Sequence, residues 1–177
     1  MYHKWYILLL LRLDFRLARP FYREEVDKMK LVTSNFGEIN IPDDNIINFE
    51  KGIPGFEKHT KYVIINDEDK DSPFCWLQSI EDPDLAFTLV NPYLVYQGYD
   101  PKFSEGDIAK LGQAKPEDYS VLSIVIIPEN IEEIRTNLMA PIVINLKTKK
   151  AGQIITEGDL YPVKYYIFKE LQENKAK

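Results

Sequence analysis

A proline-containing turn between two apolar segments places the strongest restriction on how this chain can fold. Residues 74–80 and 85–90 are rich in aromatic and aliphatic side chains, and the polar tetrapeptide 81–84 separates them. Pro83 in that tetrapeptide cannot belong to a central strand, because proline lacks the backbone N–H that a strand ladder needs. In the second segment the side chains alternate with the period of a strand, and both faces are apolar. The sequence therefore predicts a β-hairpin over residues 73–91, buried at the centre of the core.

Short apolar segments from residue 29 onward, separated by Pro, Gly and Asp, indicate further strands. Strands are predicted at residues 31–33, 38–41, 46–49, 61–66, 119–127, 137–146 and 153–156. Pro141 predicts a kink or bulge where the sixth of these begins, and Gly55 predicts a type II turn after Pro54. A chain of 177 residues can bury one substantial core. The predicted fold class is mainly β, a small antiparallel β-barrel-like domain.

Helices are predicted at two places beside these strands. A serine N-cap and a terminal glycine indicate one short helix over residues 104–112. Aromatic and aliphatic side chains recur at helical spacing between residues 164 and 172, which predicts a C-terminal helix. Residues 129–136 have room for one helical turn, whereas an internal glycine and proline predict no regular structure for residues 91–103.

The first 28 residues differ in composition from the rest of the chain. They carry six basic and four acidic residues, and their apolar segment 5–11 is much shorter than the about 20 residues of a membrane-spanning helix. We interpret residues 1–28 as a mis-assigned upstream start, with Met29 as the initiator. The alternatives are an added amphipathic helix and an anchor on a membrane surface. The expected organisation is an extension at 1–28, one barrel-like domain at 29–163 and a helical tail at 164–177.

The charge of the chain disfavours nucleic acid as the main ligand. The formal net charge is −6, and residues 29–177 alone carry 16 basic and 24 acidic residues. Nucleic-acid affinity depends largely on clustered Lys and Arg, so an oligonucleotide-binding barrel remains only an alternative. An acidic surface suits a basic protein partner better.

An acidic loop after residue 66 invites comparison with a calcium-binding loop. Asp67, Asp69 and Asp71 match its first three ligand positions. Ser72, however, stands where that loop requires glycine, and Gln78 where it requires a bidentate glutamate. We therefore interpret the loop as solvated, and expect no metal and no cofactor.

The residue types that carry catalysis are sparse. Glu81, Asp82 and Asp84 surround the hairpin turn, where turn formation explains them, although a small barrel hydrolase using them is an alternative. His59 is interpreted as a surface residue. Cys75, the only cysteine, lies in an apolar strand and is interpreted as a small buried hydrophobe in a reducing compartment. A binding protein is the better interpretation.

Four aromatic residues follow the hairpin in the irregular segment. They are Tyr93, Tyr96, Tyr99 and Phe103. One interpretation is that they cover an end of the barrel. The other is that they form a partly exposed recognition surface, because aromatic residues anchor protein interfaces.

Four separated motifs, in order, resemble the flagellar assembly factor FliW family. They are Gly-Ile-Pro-Gly-Phe-Glu at residues 52–57, Phe-Cys-Trp-Leu-Gln-Ser at 74–79, Asp-Pro-Asp-Leu-Ala-Phe at 82–87 and Leu-Met-Ala-Pro-Ile-Val-Ile-Asn at 138–145. The resemblance covers residues 29–161 and leaves the tail unmatched. It implies a small β-barrel-like domain without enzymatic activity.

The resemblance also implies the partners. Members of that family bind flagellin and the translational regulator CsrA in mutual exclusion, so that the chain would be a cytoplasmic antagonist of CsrA that binds neither RNA nor membrane. The motifs themselves are core and turn residues and do not locate the binding surface. The hypothesis is that aromatic residues supply apolar contacts and acidic groups supply charge attraction. The candidate residues are Tyr93, Tyr96, Tyr99, Phe103, Asp67, Glu68, Asp69, Glu129, Glu132 and Glu133.

Overall fold

The computed structural model of the chain describes residues 28–175. The prediction for the N-terminal extension therefore falls, except for Lys28, outside the described residues. The described part begins with a hairpin of two strands, β1 (Lys28–Thr33) and β2 (Gly37–Pro42), which form a separate antiparallel sheet. Its apolar face, with Leu31 and Ile41, packs on Val63 of the main sheet.

Seven strands of the main sheet close into a barrel, which confirms the predicted fold class. Those before the middle of the chain are β3 (Ile47–Phe49), β4 (Lys61–Asn66), β5 (Phe74–Ser79) and β6 (Ala86–Val90). Those after it are β7 (Tyr119–Ile126), β9 (Ile142–Asn145) and β10 (Lys150–Gln153). Neighbouring strands are antiparallel except β3 and β10, which pair in parallel, and a pairing of β7 with β9 completes the circle.

The hairpin of β5 and β6 lies within the barrel wall, as the sequence predicts. Its register runs from Phe74 opposite Val90 to Gln78 opposite Ala86, and β6 pairs with β7 on its other side. Gln78 is fully buried, and its Nε2 donates to the carbonyl oxygens of Asp82 and Leu85 at 3.1 Å. This side chain fastens the turn that Pro83 imposes.

The inside of the barrel holds the main apolar core. Its largest members are Phe49, Tyr62, Leu77, Leu89 and Ile142, all with no exposed surface. The rings of Phe49 and Tyr62 meet edge to face at 5.1 Å. Burial of each such side chain contributes about 1.5–3 kcal/mol, so this cluster holds together strands that are distant in sequence.

A second cluster joins the C-terminal residues to the barrel. Strands β8 (Arg135–Thr136) and β11 (Tyr165–Tyr166) extend the sheet beyond β7, and helix α3 (Phe168–Lys175) follows. Ile167 between β11 and α3 is fully buried. The predicted C-terminal helix is present, but it starts at Phe168, because the preceding residues pair with β8.

Two helices lie between β6 and β7. Helix α1 (Pro92–Val95) is a single turn whose N-cap, Asn91, accepts the N–H of Tyr93, so the expectation of no regular structure there was wrong. Helix α2 (Glu105–Lys110) confirms the predicted short helix: Ser104 Oγ accepts the N–H of Asp107 at 3.1 Å. Residues on and after α2 pack against Val143 of β9 and against Tyr119 and Val121 of β7.

Three local features refine the strand predictions. Gly55 has a φ of +87°, as its predicted turn requires. Strand β9 begins only after Pro141, consistent with the predicted kink. The predicted strand at 153–156 was misplaced, because β10 occupies Lys150–Gln153; Lys149 adopts a φ of +57° and closes the preceding turn early. A lysine in this left-handed region gives no sequence signal.

Candidate binding surfaces

The tyrosines of residues 91–103 form one cluster with two others from the C-terminal part. Tyr99 is 4% exposed, and its hydroxyl donates to the carbonyl of Leu138 at 2.7 Å. Burial raises the pKa of Tyr99 well above its usual range. Tyr93 lies at the edge of the cluster and is 51% exposed, its ring centroid 5.4 Å from that of Tyr99. The cluster is thus buried at its centre and open at one edge.

The two tyrosines that sequence reasoning missed complete this cluster. The ring of Tyr161 lies 4.6 Å from Tyr99 and 5.7 Å from Tyr96, and the ring of Tyr165 lies 5.1 Å from Tyr96. They come from a distant part of the chain, so no local spacing could have predicted them. Phe103 does not belong to this cluster and packs against the buried residues Leu111, Val143 and Ile154.

The two predicted acidic groups lie on different loops. Asp67 begins the loop between β4 and β5; a hydrogen bond from Ser72 and the N–H of Asp69 lower its pKa. Glu129 and Glu133 are exposed around a 3-10 turn, and Glu132 borders a cavity shared with Tyr166 and Phe168. The latter group therefore has both charge and exposed apolar surface beside it.

The carboxylates of the hairpin turn serve local structure. Glu81 Oε2 accepts the N–H groups of Thr60 and Lys61 at 2.5 and 3.0 Å. Burial raises the pKa of Glu81, but these donors outweigh it and hold the pKa below its usual range. Asp82 accepts the N–H of Asp84 at 3.0 Å, and Asp84 accepts the hydroxyl of Ser34 from the β1–β2 hairpin. These hydrogen bonds connect the turn at residues 81–84 to the β1–β2 hairpin and to the start of β4.

His59 and Cys75 belong to different segments, since His59 precedes β4 and Cys75 lies on β5. His59 is partly buried, with Nε2 3.9 Å from Asp82. Burial raises the pKa of the Cys75 thiol to about 11, so the nucleophilic thiolate is disfavoured. Within residues 28–175, no group of three or more His, Cys, Asp or Glu side chains could hold a metal ion. In the same part of the chain no helix is long and apolar enough to cross a membrane.

A cleft of about 340 Å³ lies between α2, β10 and the corner after β3. Its lining residues are Glu50, Lys51, Gly52, Pro54, Glu57, Asp107, Lys110, Leu111, Lys150, Ala151, Gly152, Gln153 and Ile154. Ion pairs form two parts of the rim: Lys150 to Glu50 at 2.5 Å and Lys110 to Asp107 at 2.6 Å. The carboxylates of the hairpin turn do not line it. The cleft was not predicted, because its walls come from segments far apart in sequence.

The fold defines a small protein built on a closed seven-stranded β-barrel. The FliW protein family model matches residues 30–167. The chain is 45% identical over 145 residues to the flagellar assembly factor FliW of Alkaliphilus metalliredigens (strain QYMF), covering 82% of this chain and 90% of the relative. It is 40% identical over 152 residues to that of Caldicellulosiruptor saccharolyticus (strain ATCC 43494 / DSM 8903 / Tp8T 6331), covering 86% and 99%.

A solved structure agrees with these sequence matches. The crystal structure of the flagellar assembly factor FliW superposes with a TM-score of 0.72 at 29% identity, covering 79% of this chain and 97% of that one. The chain belongs to the FliW family.

Proposed function

We propose that this protein is a flagellar assembly factor that binds flagellin and the translational regulator CsrA in mutual exclusion and has no enzymatic activity. The observation that carries the proposal is family membership, since relatives aligned over most of their length bear the name flagellar assembly factor. The cytoplasm, where newly made flagellin and an RNA-binding regulator coexist, is the compartment that this function requires.

The regulatory effect follows from competition between two ligands for one protein. When flagellin is abundant it occupies the protein, and CsrA is released to repress translation. When flagellin is exported, the protein is free to sequester CsrA. Mutual exclusion makes the coupling reciprocal, so each ligand lowers the affinity for the other by the same factor. No chemical step is needed.

The charge of the chain supports a basic partner. Residues 29–177 carry a net charge of −8, and the acidic loops at Asp67 and at Glu132 are exposed or partly exposed. CsrA binds RNA with a basic surface, as the family resemblance implies, and an acidic protein complements such a surface. Binding to RNA itself is disfavoured by the same charge.

The aromatic cluster supplies an apolar contact at its open edge. Tyr93 is half-exposed and supported from behind by Tyr99, whose own ring is buried. We propose that Tyr93 and the exposed part of Tyr96 touch a partner, while Tyr99 positions them. Rigid, partly exposed tyrosines lose little conformational entropy on binding.

Titration calorimetry with flagellin and CsrA from the same organism tests the proposal. We expect each protein to bind alone, and a complex saturated with flagellin to show greatly weakened binding of CsrA. A single-stranded RNA of the CsrA target type is the negative control. If neither protein binds, the proposed function is wrong; if both bind at once, only the mutual exclusion is wrong.

A further inference from the structure

We infer that the cleft between α2 and β10 binds an extended peptide segment of a protein partner, which adds as a short strand along the open edge of β10. This inference deepens the proposed function and rests on it for the identity of the partner. It concerns residues that neither the four family motifs nor the predicted site residues explain, apart from Gly52, Pro54 and Glu57.

The pairing of β10 leaves part of one edge uncovered. Its parallel partner β3 contributes two pairs, Lys150 with Asn48 and Ala151 with Phe49, and then the chain turns away. On the other edge, β10 continues to pair with β9, and the N–H of Ile154 reaches Pro141 at 3.0 Å. Strand β3 therefore pairs with Lys150 and Ala151 of β10 and leaves the same edge of Gly152 and Gln153 without a neighbouring strand.

The open edge presents main-chain hydrogen-bonding groups to the cleft. Backbone groups of successive residues in a strand point to opposite edges. Since Ile154 donates toward β9, the N–H and C=O of Gln153 point toward the cleft, which Gln153 lines. Its side chain is fixed, because Nε2 donates to the carbonyl of Ala140 at 3.0 Å. A strand edge held in place in this way is the template for addition of a peptide strand.

The floor of the cleft allows another backbone to come close. Gly152 has no side chain, and the nearby floor consists of the buried apolar residues Leu111 and Ile154. A Cβ built on Gly152 would lie 3.9 Å from Leu111 and 4.0 Å from Ile154, which is ordinary contact. The glycine is therefore not required by its own packing, and a glycine inside a strand often marks close approach of a second backbone.

The rim favours a peptide over a ligand of one charge. The ion pairs Glu50–Lys150 and Asp107–Lys110 each place one negative and one positive side chain at the rim of the cleft. A hydrogen bond from Lys150 lowers the pKa of Glu50, so that carboxylate stays ionised. A cleft of about 340 Å³ is also at the lower end of ligand-site volumes, room enough for a few residues of extended chain.

Filling the floor of the cleft provides the decisive variants. Gly152→Ala should fold, since the added Cβ meets only ordinary contacts. Gly152→Val adds two further methyl groups, in a β-branched shape that suits a strand. The matched controls are Gly106→Ala and Gly106→Val on α2, where a Cβ meets nothing within 4 Å and which does not line the cleft. Thermal melting of all four establishes that the barrel is intact.

Binding of flagellin and of CsrA is then measured separately by calorimetry, with hydrogen exchange of the Gln153 amide. We expect Gly152→Val to weaken one of the two partners about tenfold or more, with Gly106→Val unchanged. We also expect that partner to slow exchange of the Gln153 amide in the unmodified chain. If both partners bind Gly152→Val normally and leave the Gln153 amide unprotected, the cleft inference is overturned and the proposed function stands.

A separate assay covers the case in which neither partner binds. A phage-displayed library of random peptides is then selected against the whole chain. Enriched peptides that protect the Gln153 amide and lose binding to Gly152→Val support the cleft, although the proposed function has failed. If no peptide is enriched, or if the enriched peptides bind Gly152→Val unchanged, both ideas are overturned.

Discussion

In the tyrosine cluster we expect one residue, Tyr99, to stabilise the fold and another, Tyr93, to contact a partner. Tyr99 combines a buried ring with a hydroxyl that satisfies the carbonyl of Leu138. Tyr99→Phe removes only that hydrogen bond and leaves the carbonyl unpaired. We expect a loss of about 1–3 kcal/mol in unfolding free energy, measured by urea denaturation. Tyr93→Ser should change stability by less than about 0.5 kcal/mol but weaken one partner. Equal stability of the two variants would contradict this division.

The carboxylate of Glu81 makes stability depend on pH. Its pKa is held below the usual 4.5, because the N–H donors of Thr60 and Lys61 outweigh burial. A depressed pKa in the folded state contributes stability above about pH 4.5, and that contribution is lost as the pH falls through the folded pKa. We expect Glu81→Gln to lower the melting temperature at pH 7 and to lose less on acidification than the unmodified chain. Glu129→Gln on an exposed loop is the control and should follow the unmodified curve.

Elements whose signals are local could be predicted from the sequence, and those made by distant pairing could not. The hairpin of β5 and β6 depends on Pro83 and on alternation within a few residues, and α2 depends on its Ser104 cap. The strands β8 and β11 have two residues each, and they form only through pairing with distant segments: β8 with β7, and β11 with β8. For the same reason the sequence did not predict the cleft or two of the five tyrosines in the cluster, since these come together from separate segments. The sequence could show that the acidic loops carry negative charge, but it could not show which side chains lie beside them in the fold.

The C-terminal segment offers a test of whether it belongs to the folded unit or is a separate tail. Ile167 is fully buried between Val90, Val125 and Ile134, whereas the adjacent Tyr166 is half-exposed. We expect Ile167→Ala to cost about 2–5 kcal/mol of unfolding free energy in a single cooperative transition. Tyr166→Ala, one residue away, should cost far less. An Ile167→Ala variant as stable as the unmodified chain would instead support an independent tail after residue 163.

At the scale of the whole molecule, the effect of net charge on the association rate can be separated from the effect of a local group of charges. A net charge of −8 on residues 29–177 should speed association with a basic partner, with a rate that falls as salt screens the field. Asp43 and Asp44 are exposed on the turn between β2 and β3. Reversing Glu132 and Glu133 to Lys changes the net charge by as much as reversing these two aspartates. A purely global field would slow both variants equally. We expect the Glu132/Glu133 variant to bind CsrA more slowly in stopped-flow measurements at low salt, because Glu132 borders the exposed ring of Tyr166. Equal rates for the two variants would assign the attraction to net charge alone.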